Sequence, residues 1–221
     1  MTGDLSRALC RALSRALSRG ARLAPSFARL LTPLLALLLA ACGGAQTPGG
    51  GDEPLTAARL YPLAEGNVWS YDVETGVGPP VLAISRVIGE RGEVFEVRND
   101  GGDAIEYERR PEGLWRVESE TWLLRGPIEV GTEWASANGR TARIRSVDER
   151  VEVAAGTFEG CVRVDEAGGG DGRDIFTIYC PDVGPVVLET GLQAELSGMR
   201  ASVRAELRGY MLAEEGAAAD E

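Results

Sequence analysis

From Asn67 to Leu212 the chain is written in short runs of alternating apolar and polar residues, broken by Gly, Asp, Asn or Pro every eight to twelve residues or so. A period of two sends successive side chains to opposite faces of a sheet, and breaks at that spacing interrupt helices of ordinary length. Residues 67–73, 81–88, 93–99, 105–110, 113–118, 121–125, 141–147, 150–153, 161–167, 173–180 and 184–189 read as strands. The turn Asp100-Gly101-Gly102-Asp103 tolerates positive φ and joins the third strand to the fourth as a hairpin. The pattern predicts an all-β fold over residues 55–212. It is a single antiparallel meander forming a curved sheet, half-barrel or sandwich, with little helix outside the leader. Residues 201–212 read two ways. Val203, Ala205, Leu207, Gly209 and Met211 alternate with polar residues, whereas Met199, Val203, Leu207 and Tyr210 fit a helical stripe. Gly198 and Gly209 both weaken a helix, so a strand is the preferred reading.

Composition narrows the chemistry. A length of 221 residues suits one domain plus a leader. All 23 basic residues are Arg, and His is absent as well as Lys. Such a chain builds no Ser-His-Asp triad, His-ligated zinc, Schiff-base Lys or phosphate-loop Lys. A hydrolase with two carboxylates in one cleft is the enzymatic alternative that survives. No pair among the many scattered acids stands out, so the chain is read as a non-enzyme, with no catalytic residue and no cofactor assigned.

The first 41 residues read as a leader. Arg7, Arg11, Arg15, Arg19, Arg22 and Arg29 face a single acid, Asp4. The four-residue spacing of the first four would make a basic helical stripe, but a long basic n-region, or a start placed too early, explains it as well. An apolar run over residues 30–41 follows, of signal-peptide length and short for a membrane span. It ends in Leu39-Ala40-Ala41-Cys42. This tetrapeptide resembles the lipobox of bacterial lipoproteins. The resemblance implies cleavage before Cys42, acylation of Cys42 with palmitate-type chains, and stable anchoring in a membrane of the bacterial cell envelope. Gly43 in the next position implies the outer membrane where the cell has two. A plain secreted protein with Cys42 in a disulfide is the alternative.

Residues 42–54 are a Gly/Pro-rich tether, and residues 213–221 an acidic tail. From Cys42 onward 17 Arg stand against 33 acids, a net charge near −16 that repels phosphate backbones and anionic headgroups. Nucleic acid is therefore excluded as a partner. The partners left are the membrane through the anchor, a lipid or apolar ligand, and another envelope protein.

Cys10 leaves with the leader and Cys42 carries the anchor, so Cys161 and Cys180 pair in an exported, oxidising setting. A turn centred between Gly170 and Asp171 makes partners of residues whose numbers sum to 341, which sets Cys161 opposite Cys180. The spacing is not Cys-x-x-Cys, so the bridge is structural rather than redox-active. Residues 169–177 also match one copy of the calcium-binding nonapeptide of β-rolls, with Asp165, Glu166, Asp171 and Asp174 nearby. A single copy reads as a Gly-rich turn, and no metal site is assigned.

Trp69, Tyr71, Trp115, Trp122 and Trp134 are the candidate ligand-binding residues, with Tyr61, Tyr107 and Tyr179 as companions. Aromatics on strands fill a core or line a cavity for a lipid or carbohydrate. Three phrases extend the reading: Tyr61-Pro62-Leu63-Ala64-Glu65-Gly66-Asn67-Val68-Trp69-Ser70-Tyr71, Ala155-Gly156-Thr157-Phe158, and Tyr179-Cys180-Pro181-Asp182-Val183-Gly184-Pro185-Val186. Together they resemble a group of uncharacterised bacterial lipoproteins, and more loosely the curved sheets of lipoprotein carriers, whose concave face holds acyl chains. The resemblance implies a membrane-anchored envelope lipoprotein that binds a lipid or apolar ligand. The alternative is a structural or assembly protein docking another envelope protein by an edge strand or flat patch.

Overall fold

A computed structural model describes residues 54–76, 78–193 and 200–213. The leader, Cys42, most of the tether and residues 214–221 lie outside the described residues. The described chain opens with a single helical turn, α1 (Ala57–Leu60), started by Thr56, whose hydroxyl accepts from the Arg59 N–H. Twelve strands follow: β1 (Val68–Glu74), β2 (Val81–Arg91), β3 (Val94–Asn99), β4 (Ala104–Arg110), β5 (Gly113–Arg116), β6 (Thr121–Arg125), β7 (Glu133–Ala135), β8 (Thr141–Val153), β9 (Gly156–Ala167), β10 (Arg173–Cys180), β11 (Gly184–Gln193) and β12 (Arg200–Met211).

All twelve belong to one antiparallel sheet in the order β6-β5-β4-β3-β2-β1-β12-β11-β10-β9-β8-β7. The first strand pairs with the last, so the meander curls into a nearly closed barrel whose break lies between β6 and β7, in mid-chain. The all-β meander expected from the sequence is thus present. Residues 141–147 and 150–153 form one long strand with several register shifts. The ambiguous stretch near the end is strand β12, with Leu207 opposite Tyr71 and Ala205 opposite both Val73 and Leu188. Helix α1 and strand β7 were not anticipated.

One end of the barrel is filled by Leu60, Leu63, Trp69, Phe95, Leu114 and Leu207, all at most 2% exposed. Each such side chain contributes roughly 1.5–3 kcal/mol by leaving water. Trp69 is placed by its indole N–H, which donates to the Val183 carbonyl at 2.7 Å, and by the edge of Tyr61 at 5.2 Å. Gly184 takes φ +112 beside that ring, and a Cβ there would sit 2.9 Å from Trp69 Nε1. Gly113 permits a closer approach, since a Cβ would lie 2.1 Å from the Leu124 carbonyl oxygen. A side chain at either place would force the sheet apart.

The β9–β10 hairpin has the register read from the sequence. Ile175 faces Glu166, Phe176 faces Asp165 and Tyr179 faces Val162. The same register carries on to a Cys161–Cys180 disulfide, with Cα atoms 4.2 Å apart. Alternation puts this bridge on the outer face, opposite Thr177 and Tyr179. There the tip of the β8–β9 hairpin bends back over the sheet, and Ala155 donates its N–H to the Leu207 carbonyl at 3.1 Å. Both cysteines are buried beneath it.

Candidate functional site

Cross-strand partners share a face of the sheet, so the register assembles the inner surface row by row. One row runs Thr177, Leu188, Ala205, Val73, Val81 across β10, β11, β12, β1 and β2. The next runs Ile175, Thr190, Val203. Leu188, Val203 and Val81 in these rows are 38%, 39% and 59% exposed, which makes an apolar lip at the end of the barrel away from Trp69. Within the lip lies a cavity of about 310 Å³, near the lower limit of small-molecule sites, roughly 300 Å³.

Below the lip the lining changes character. Tyr61, Tyr71, Tyr107 and Tyr179 converge on the cavity from before β1 and from β1, β4 and β10. Tyr71 donates its hydroxyl to the Pro185 carbonyl at 2.9 Å. Tyr61 is within hydrogen-bonding reach of Ser85, Tyr179 of Thr177, and Tyr107 of Arg116. Burial pushes all four phenols above the ordinary tyrosine range; for Tyr107 the neighbouring Arg116 partly offsets it. They are neutral donor-acceptor groups at any physiological pH.

Arg116 and Glu166 are the charged residues of the lining. Arg116 stands directly opposite Tyr107 in the β4–β5 ladder. Its Nη1 donates to Ser136 Oγ at 3.1 Å, and its Nη2 lies 3.6 Å from Glu166 Oε1. Ser136 in turn donates to Glu166 Oε2 at 2.5 Å. On the far side Arg140 donates from Nε to the same Oε2 at 3.4 Å and from Nη1 to Asp171 Oδ2 at 2.7 Å. Glu166 therefore has two guanidinium groups and a hydroxyl around it, as a buried carboxylate requires. Burial draws the Arg116 guanidinium down, but the facing Glu166 carboxylate together with Tyr107 and Tyr179 outweighs it, and the group is held above its usual range. The side chain of Glu166 is 7% exposed and that of Arg116 19%, so Arg116 is the charge more open to the cavity.

The candidate aromatics separate. Tyr71 and its companions Tyr61, Tyr107 and Tyr179 line the cavity together. Trp69 is sealed in the packed end. Trp115 and Trp122 pair edge to face at 5.0 Å, and alternation with the inward Arg116 turns Trp115 to the outer surface. Arg110 lies over both rings, at 4.3 Å and 5.9 Å. Trp134 is buried opposite Ala142, with its indole N–H unpartnered, outside the cavity lining. Cys42 lies outside the described residues. The acids near the Gly-rich turn do not converge. Asp171 is tied to Arg140, Asp165 to Arg163 and Arg145, and Glu166 points inward. Among the described residues no group of three metal-ligating side chains comes together.

Arg116 and Glu166 were missed as a pair, though each carries a signal. Glu166 shares its face with Val162 and Val164, and Arg116 shares its face with Leu114, so each is a charge set in an apolar alternation.

No protein-family model matches the chain, and no curated protein matches it in sequence. Two solved structures are similar in fold. One is a candidate lipoprotein of Parabacteroides distasonis, 15% identical, with a TM-score of 0.41. The other is a candidate exported protein with a YmcC-like fold from Bacteroides fragilis, 13% identical, with a TM-score of 0.45. Each comparison covers 69% of this chain and 98% of the other.

Proposed function

We propose that this chain is a lipid-anchored protein of the bacterial envelope whose barrel binds a small amphipathic ligand without transforming it. The observation that carries the reading is the cavity itself, an apolar lip leading down to four phenols and one accessible guanidinium. A filled core would give a structural protein no reason to keep such a space. Acid-pair hydrolysis has less support, because Glu166 is the one acid among the described lining residues and is already neutralised. The anchor rests on Leu39-Ala40-Ala41-Cys42, and the buried disulfide suits the oxidising side of a membrane. The docking alternative finds its support in the unpaired edges of β6 and β7.

The chain from Gly43 onward, exported to an oxidising compartment, provides the test. Native mass spectra are expected to show a discrete added mass, of lipid or metabolite size, that is absent from denatured spectra. A ligand-free species that also takes up no amphiphile would sink the binding reading and leave the docking one. For the anchor, the full chain is expected to incorporate labelled palmitate, and the Cys42→Ala chain to incorporate none.

A further inference from the structure

Given the binding reading above, on which this inference rests, the chemistry of the lining narrows the ligand. We propose that the cavity takes an alkyl carboxylate head-first, with the carboxylate between Arg116 and Tyr107 and the chain running past Leu188 and Ala205 to the lip.

Three features of the site lead there. The first is charge. Glu166 lies against both Arg116 and Arg140, and Asp171 takes Arg140 at 2.7 Å, so the two positive and two negative charges of the cluster balance. Of the two charged residues in the lining Arg116 is the more exposed, so the charge the cavity offers a ligand is positive. A cationic head would meet this guanidinium, whereas an anionic head pairs with it by charge-assisted hydrogen bonds. The second is proton direction. A guanidinium only donates and a phenol can donate, and Arg116 and Tyr107 face each other on the cavity wall. Arg116 and Tyr107, adjacent across one ladder, thus offer two donors to the same small volume. A carboxylate has two oxygens with which to take them. The third is the polarity gradient. Leu188 and Ala205 line the wall, and Val203 and Val81 continue it outward, so an alkyl tail lies on apolar surface only when the head is deep. The strongly negative surface does not oppose this, because the head is met inside the barrel by a fixed positive group and exposed charges are screened within a Debye length.

The test is titration calorimetry of the chain from Gly43 onward at neutral pH with four probes of one chain length: decanoate, methyl decanoate, decanol and decylamine. Decanoate is expected to bind at least about tenfold more tightly than the others, the effect of one charge-assisted hydrogen bond. Arg116→Gln should remove that preference, lowering decanoate affinity at least about tenfold and decanol affinity by less. Because Arg116 also supports Glu166, a second variant is needed. Tyr107→Phe keeps the ion pair and should weaken decanoate about two- to tenfold, and decanol by less. Equal binding of decanoate, ester and alcohol would overturn the carboxylate assignment and leave an amphiphile-binding cavity standing. Preference for decylamine would overturn it in favour of Glu166 as the recognition group. Binding of none of the four would remove both this inference and the reading beneath it. Unchanged decanoate affinity in both folded variants would overturn the assignment of the head to Arg116 and Tyr107.

Discussion

Tyr61, Tyr71, Tyr107 and Tyr179 illustrate how a side chain can be both core and cavity wall. Each buries a ring in the cavity wall and carries a hydroxyl that a phenylalanine would lack. The arrangement has a cost at high pH. In the unfolded chain a tyrosine ionises near pH 10, whereas burial holds these four protonated well above that. The folded state then binds more protons than the unfolded one, so stability is full below about pH 10 and falls as pH rises above it. The expected slope is up to about 1.4 kcal/mol per pH unit for each phenol. Denaturation midpoints measured from pH 8 to 12 should stay level and then drop, with the phenolate absorbance of these four buried tyrosines, read in a Tyr210→Phe background because Tyr210 is exposed, appearing only as the fold is lost. Tyr71→Phe should make the drop shallower. Four phenolates titrating ahead of unfolding would contradict the burial described above. At this scale the site was half legible. The tyrosines stood in the sequence beside tryptophans, and nothing in periodicity tells which aromatic lines a cavity. Arg116 and Glu166 lie fifty residues apart, and only the closing of the sheet brings them together.

At the scale of the element, the β9–β10 hairpin shows what turn chemistry determines. Gly168 and Gly172 take φ +82 and +65, and the flanking alternation fixes which residues face inward, so the register follows from the turn. The disulfide locks a register that the pattern already specifies. Replacing both cysteines, Cys161→Ser with Cys180→Ser, is therefore expected to lower stability by about 3 kcal/mol in the chain-entropy account. The spectrum and ligand affinity should be retained, because Tyr179 and Thr177 stay on the opposite face. Urea denaturation with and without the bridge measures the loss, and a scrambled near-ultraviolet spectrum would show that the bridge, not the pattern, sets the register. Strands of five or more residues were readable for the same reason. Strand β7, three residues with Trp134 alone buried, offers too little alternation to detect, and α1 is shorter than any helical period can reveal. The bend that folds the β8–β9 tip over β12 depends on register shifts that no local pattern announces.

At the scale of the molecule, the Arg116, Ser136 and Glu166 contacts join β5 on one side of the open seam to β7 and β9 territory on the other. The barrel is thus held by backbone ladders everywhere except at one gap, where buried charge takes over. The place where the sheet ends and the place where the chain ends are different: β1 and β12 are central neighbours, and the true edges are β6 and β7. Read around the ring from the gap, the strands run β7 through β12 and then β1 through β6, each beside its successor. A circular permutant that joins Ala213 to Pro54 through a flexible linker and opens between Pro127 and Thr132 would be an uninterrupted up-and-down meander, with sequence order and spatial order the same. It is expected to fold faster than the parent, since the long-range closure of β1 on β12 becomes a local hairpin, and stopped-flow refolding of the two chains would measure the difference.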